Sequence, residues 1–134
     1  MDGSYKRGKN NKQLNVLGGD LEQCVSCYDK NDIVTGFYRD NYCNTGPDDL
    51  GLHTVCCIMT QTFLTFSKSV GNDLSTPIPE YNFKGLKEGD HWCLCASRWQ
   101  EAFEAGKAPK VVLKSTNIAT ISIVKLEDLK KYTA

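Results

Sequence analysis

The sequence predicts an α+β fold, built as a single compact domain over residues 14–134 with a small mixed sheet and about three short helices. Three observations carry that reading. A chain of 134 residues fits one ordinary domain and can bury a core of its own. Short apolar runs with β-branched residues interleave irregularly with amphipathic stretches. Neither a regular βαβ repeat nor a phosphate-binding glycine loop is present, which separates the chain from doubly wound α/β folds.

Residues 1–13 carry Lys6, Arg7, Lys9 and Lys12 against Asp2, a net +3, with almost no apolar side chain, and read as a disordered basic tail. From Leu14 to Leu21 a short apolar stretch broken by Gly18-Gly19 reads as a strand or loop entering a turn. Ile33 to Asp40 has the β-branched and aromatic content of a strand, interrupted by Gly36. Asn41 to Gly51 is a turn-rich surface loop that includes Asp48-Asp49. Leu52 to Met59 reads as a buried strand, with His53, Val55 and Cys57 on one face and Thr54, Cys56 and Ile58 on the other.

Thr60 is placed to cap a helix running to Val70, with Met59 and Leu64 as its hydrophobic staple and Gly71 as its stop. Met59, Phe63, Phe66 and Val70 form its core stripe. The Pro-rich segment Asn72 to Tyr81 is a loop in which Asn72, Asp73, Ser75 and Thr76 either form an Asx-type turn that satisfies its own backbone or contribute to a polar site.

The stretch Gly89 to Trp99 reads as a strand running into a helix. Alternation puts His91, Cys93 and Cys95 on one face and Trp92 with Leu94 on the other. Ser97 and Gln100 have capping-box spacing, Trp99 and Phe103 share one helix face, and Gly106 with Pro109 ends the helix. Val111 to Leu113 and Thr120 to Val124 read as strands, and Leu126, Leu129 and Tyr132 as the stripe of a terminal helix that docks on the sheet.

Sixteen basic and sixteen acidic side chains give a formal net charge of zero, so no global field favours nucleic acid or an anionic membrane. Four cations without interleaved aromatics make a poor nucleic-acid arm. Without an apolar run of secretory or membrane-spanning length, the expectation is a soluble cytoplasmic protein. There the seven cysteines are expected to pack, bind metal or do redox chemistry rather than form a disulfide framework. Cys24 and Cys27 have CxxC spacing, but Asp29-Lys30-Asn31-Asp32 denies the pair the long helix that a thioredoxin-like site requires. The sequence sets no oligomeric state.

With these residues in view, the chain resembles a domain-of-unknown-function family, number 2237, found in bacteria and some plants and protists. The resemblance runs from about Leu14 to the C-terminus. It rests on Asn15-Val16-Leu17-Gly18, Thr35 to Asp40, Thr45-Gly46, Asp49, Gly51 to Cys56, Gly71 to Pro77, Gly89 to Cys95, and Arg98-Trp99. It singles out Cys24, Cys43, Cys56, Cys93 and Cys95, with His53 beside them, as residues matching the family's motifs. Cys27, Tyr42 and Cys57 stand where the family usually carries other residues. The resemblance implies no activity.

Three functions from different classes are compatible with these residues. One is a pocket at the sheet rim, binding or transforming a small anionic molecule through Arg39, Asp40, His53, Asp73 and Arg98 with one reactive cysteine. Arginine supplies a fork for carboxylate or phosphate, and a cysteine beside a histidine can become a nucleophile. Another is structural zinc, held by Cys93 and Cys95 with two of Cys24, Cys43, Cys56 or His53, since tetrahedral zinc takes four thiolate or imidazole donors. The third is a non-catalytic structural or partner-binding protein in which the thiols serve as small buried hydrophobes.

Overall fold

The structure is a computed structural model that describes residues 12–25 and 33–134. Residues 1–11 of the expected tail, and Cys27 of the CxxC pair, lie outside the described residues. Gln13 is buried, with its side-chain amide donating to the Thr45 carbonyl at 2.9 Å.

Among the described residues, three strands and three α-helices organise the chain: β1 (His53–Ile58), α1 (Gln61–Ser69), β2 (His91–Cys95), α2 (Ala96–Glu104), β3 (Lys110–Val111) and α3 (Leu126–Lys130). The sheet order is β2-β1-β3, with both ladders antiparallel, and one isolated parallel bridge joins Val111 to Thr133. This is the α+β architecture expected. Among the described residues no helix is long and apolar enough to cross a membrane.

The sheet divides two unlike interiors. On one side Val55, Cys57, Trp92 and Leu94 join Phe63 and Leu64 of α1, Trp99 of α2 and Leu129 of α3 in the main apolar core. Trp99 is fully buried, stacks on Phe103 with centroids 5.3 Å apart, meets Tyr132 edge-on, and donates from Nε1 to the Pro109 carbonyl. On the other side Cys24, Cys43, Cys56 and Cys93 form a separate buried cluster. The alternation of β2 thus places greasy and sulfur-bearing side chains on opposite faces, as expected.

Local chemistry explains the helix boundaries. Thr60 Oγ1 accepts from the Phe63 N–H at 3.1 Å, and the chain leaves α1 through Gly71, whose φ of +93° is left-handed. The buried face of α1 is Phe63, Leu64 and Ser67, with Phe66 half-buried and Val70 exposed, so the expected stripe is rotated. Ser67 is buried because its hydroxyl donates to the Asn72 carbonyl at 2.6 Å and ties down the chain past the helix end. At α2 the expected capping box does not form: Cys95 is the N-cap and makes no side-chain capping bond.

Two expected strands are absent. Ile33 to Asp40 is a loop, because Gly36, Arg39 and Asn41 all have left-handed φ and the turn closes with Arg39 N–H donating to Gly36 and Asn41 N–H to Thr35. A Cβ at Gly36 would strike the Tyr42 carbonyl. Thr120 to Val124 lies largely in a 3₁₀ segment, Ile118–Ser122, opened by Asn117, whose side chain accepts from the Ala119 N–H.

One irregularity in β1 sets the direction of His53. His53 pairs with Cys95 and Val55 with Leu94, so Thr54 is an extra residue, a β-bulge. The bulge turns His53 away from the Val55 and Cys57 face and across from Cys95, correcting the strict alternation read from the sequence.

Candidate functional site

The cysteines divide into two groups. Cys24 is bonded to Cys56 and Cys43 to Cys93, across sequence separations of 32 and 50. This corrects the expectation that the thiols would not form disulfides: that expectation rested on cellular compartment, whereas pairing is decided by tertiary proximity, and Cys56 sits directly opposite Cys93 in the β1–β2 register. The two bridges abut, with the sulfurs of Cys24, Cys43 and Cys93 all within 4.8 Å of one another, a spacing that suits a metal ion only when the bridges are reduced to thiolates. Cys95 and His53 are not members of it, so the expected ligand pairing of Cys93 with Cys95 is not the one the fold brings together.

Two described thiols are free. Cys57 is fully buried in the main core, where desolvation pushes its pKa well up, and its sulfur donates to the Val55 carbonyl. Cys95 is half-exposed at the end of β2. Its sulfur donates to the Gly51 carbonyl at 2.8 Å and lies 3.2 Å from the Ser97 hydroxyl.

Cys95 lines a cavity of about 440 Å³ together with Arg39, His53, Asn72, Trp92, Cys93 and Arg98. Besides Asn72 and the disulfide-bonded Cys93, four of the polar or thiol residues singled out in the sequence therefore meet at one rim: Arg39, His53, Cys95 and Arg98. Arg39 is held by its left-handed turn, with Nη1 donating to the Gly36 carbonyl at 2.6 Å and the guanidinium 5.6 Å from the Trp92 ring centroid. Arg98 opens α2, pairing with Glu101 at 3.2 Å, and both side chains are more than a third exposed.

His53 is the most constrained of the four. Its Nδ1 lies 2.6 Å from Asp49 Oδ1, and Asp49 is buried. Asp49 Oδ2 accepts from the His53 N–H at 2.9 Å and the Thr45 hydroxyl at 3.0 Å. Phe37 stacks on the imidazole at 5.9 Å, with an interplanar angle of 26°. Gly51 gives the ring room, since a Cβ there would come within 2.9 Å of Cε1. A carboxylate accepting from the backbone, a hydroxyl and a ring nitrogen of the same histidine fixes the imidazole in one orientation, with Nε2 as the ring's other nitrogen.

The remaining expected site residues have other employment. Asp40 lies on the exposed loop, accepting from the Tyr42 N–H and the Asn44 side chain. Asp73 closes the Asx-type turn: Oδ1 accepts from the Ser75 and Thr76 N–H groups and Oδ2 from the Thr76 hydroxyl at 2.6 Å. The Thr76 hydroxyl is the main cause of its pKa falling to about 2; desolvation opposes it, and the bonds from the Ser75 and Thr76 N–H groups and the Ser75 hydroxyl add to the lowering. Asp73 also borders a second cavity, of about 580 Å³, which shares Arg39, Leu74 and Trp92 with the first.

Asn72, one of the polar candidates of the Pro-rich loop, lines the cavity, whereas Asp49, which orients His53 from behind, is the component that sequence reasoning does not assign to the site. Asp49 reads with Asp48 as a solvated turn, although its four-residue spacing from His53 is visible in Asp49-Leu50-Gly51-Leu52-His53.

Comparison with known proteins adds family membership to this geometry. No curated protein matches the chain. Residues 14–133, nearly its whole length, match the family described as an uncharacterized protein conserved in bacteria, DUF2237, and the chain belongs to that family.

Proposed function

We propose that the domain binds a small anionic molecule in the cavity at the rim of the β1–β2 sheet, with Arg39 and Arg98 taking its carboxylate or phosphate and His53 acting as its acid–base group. The observation that carries this reading is the buried Asp49. A carboxylate taken out of water is costly unless fully bonded. Here its bonds orient one half-exposed imidazole toward a cavity that also holds two guanidiniums. A histidine needed only for packing requires no such partner.

The test is thermal melting of the protein against a panel of small carboxylates and phosphate esters, with neutral analogues of matched size alongside. An anion at 100 times its dissociation constant stabilises the folded state by about 2.7 kcal/mol, which for a domain of this size raises the midpoint by several degrees. The reading fails if no anion stabilises the protein, or if the stabilisation survives in the Arg39→Met/Arg98→Met double variant.

A second reading concerns the sulfur cluster, and the approach of three sulfurs to within 4.8 Å favours it. With its disulfides reduced, the cluster holds four thiols, the donor set of a structural tetrahedral zinc site. Protein reduced and dialysed against zinc should retain about one ion per chain. Retention unchanged by substituting Cys24 and Cys43 would place any bound zinc elsewhere.

A further inference from the structure

Resting on the anion-pocket reading, we propose that Cys95 is the nucleophile of that pocket: its sulfur attacks the acyl carbon of a small ester or thioester that carries an anionic group, with His53 as base and Asp49 as a positioning residue. Three features of the fold converge on it. The bulge at Thr54 places His53 opposite Cys95 in the strand register. The ring packs against Gly51 while the Cys95 sulfur rests on the Gly51 carbonyl, so thiol and imidazole flank the same residue. Cys95 is also the N-cap of the nine-residue α2 and spends its sulfur on no capping bond, and Ser97 brings a hydroxyl to 3.2 Å from the sulfur.

The division of labour among the described thiols points the same way. Four are consumed in disulfides and Cys57 is sealed in the core, whereas Cys95 alone of the described cysteines is free and opens on the cavity. A nucleophile, a base, a residue that orients the base, and cations for the substrate's charge form the arrangement that acyl transfer requires.

The chemistry balances without an external oxidant or reductant. The step requires rotation about the Cys95 Cα–Cβ bond to carry the thiol from the Gly51 carbonyl to Nε2 of His53. The S–H proton passes to Nε2, the S–C bond forms, and the bond from the acyl carbon to the leaving oxygen or sulfur breaks. The imidazolium returns the proton to the departing group, leaving a thioester on Cys95. Water then adds to the thioester, giving its proton to His53, and the thiol leaves with that proton as the carboxylic acid is released. Arg39 and Arg98 hold the anionic end of the substrate.

The test uses the full chain with its disulfides intact and two activated esters, the anionic 4-nitrophenyl hydrogen glutarate and the neutral 4-nitrophenyl acetate. The expected result is a burst of about one nitrophenolate per chain from the glutarate ester, with the acyl mass on the Cys95 peptide. Its rate should be on the order of 100-fold or more above that of glutathione at the same pH, and His53→Gln should lower it by about 10² to 10⁴. Cys57→Ser leaves the burst unchanged, while Cys95→Ser and, independently of any folding defect, prior carbamidomethylation of Cys95 in the parent abolish it. Acylation no faster than that of glutathione, an adduct on another residue, or an undiminished rate in His53→Gln overturns the nucleophile. If glutarate stabilises the protein but Cys95 is not acylated, the nucleophile falls and the anion pocket stands. His53-dependent acylation of Cys95 at equal rates by both esters upholds the nucleophile and removes the anion pocket.

Discussion

Replacing Arg98 or Arg39 by methionine separates a ligand-binding arginine from one that merely fastens loops. The fastening role has a known cost: removing one partner of a buried ion pair strands the other and destabilises by about 3–5 kcal/mol. Among the described residues Arg98 has no such buried partner. Its pair with Glu101 is an i,i+3 contact on α2 whose side chains are 36% and 42% exposed, worth a few tenths of a kcal/mol, and its approach to the Val70 carbonyl at 3.5 Å is at the limit of a hydrogen bond. Arg98→Met should therefore cost less than about 1 kcal/mol. Arg39 has more to lose. A local bond to the Gly36 carbonyl and a cation–π contact with Trp92 together suggest about 1–2 kcal/mol. Guanidinium denaturation of the parent and the two variants gives these differences directly, and melting with a stabilising anion gives the second half of the result, in which each variant loses most of the anion-induced shift. A loss of 3 kcal/mol or more from Arg98→Met would refute the reasoning, because it would mean that the guanidinium satisfies a buried group of the fold.

The packing sets three further outcomes. Trp99→Ala should cost about 3–5 kcal/mol by equilibrium denaturation, since a fully buried indole loses its stacking on Phe103, its edge-on contact with Tyr132 and its bond to Pro109, and a loss below about 1 kcal/mol would contradict its place in the core. Removing the Cys43–Cys93 bridge as the double alanine variant should lower stability by about 4 kcal/mol from chain entropy, and removing Cys24–Cys56 by nearly as much, because loop length enters only logarithmically over separations of 50 and 32; denaturant midpoints of the oxidised proteins would show it. Asp73 has its folded-state pKa lowered from 3.8 to about 2, so its contribution is fully present above about pH 4 and is lost as pH falls through about 2; the melting difference between the parent and Asp73→Asn should shrink over that interval, and a difference independent of pH would exclude the turn bonds as its source.

What the sequence made legible was periodic or local. Thr60 announces α1 because a threonine before an apolar-periodic run has one obvious use for its hydroxyl, and the β2 alternation sorts Trp92 and Leu94 from Cys93 without any tertiary information. The failures share a different origin. Val34, Phe37 and Tyr38 have strand composition, but the backbone around them is set by the left-handed φ of Gly36, Arg39 and Asn41, which composition does not reveal for the last two. Ile121 and Ile123 alternate as in a strand yet remain about half-exposed, because the segment follows a 3₁₀ turn opened by the Asn117 cap. Disulfide partners 32 and 50 residues apart are tertiary facts. The site was legible as a set of residues and illegible as an arrangement: Arg39, His53, Cys95 and Arg98 meet, whereas Asp40 and Asp73 spend their oxygens on their own loops.

The arrangement depends on one residue of register. Without the bulge, His53 would point with Val55 and Cys57 into the main core, where an imidazole beside Phe63 and Trp99 would be both costly and useless. Thr54 carries the bulge and is itself secured. Its N–H and hydroxyl both donate to the Leu52 carbonyl, its own carbonyl accepts from the Asn117 N–H, and its Oγ1 accepts from the Thr120 hydroxyl at 2.7 Å. Leu52 also takes the Ala96 N–H at 2.9 Å, so the carbonyl that anchors the bulge anchors the first residue of α2, beside Cys95. Two strand ends that bear His53 and Cys95 are thereby bound to a common backbone atom. Small bulges of this kind re-aim side chains at the cost of a ladder bond, and here the segment that repays it, Asn117 to Thr120, adjoins the run whose composition suggested a strand. The 3₁₀ turn acts as a brace behind the strand rather than as a further strand beside it, and the imidazole gains its position because that brace holds Thr54 in the bulge.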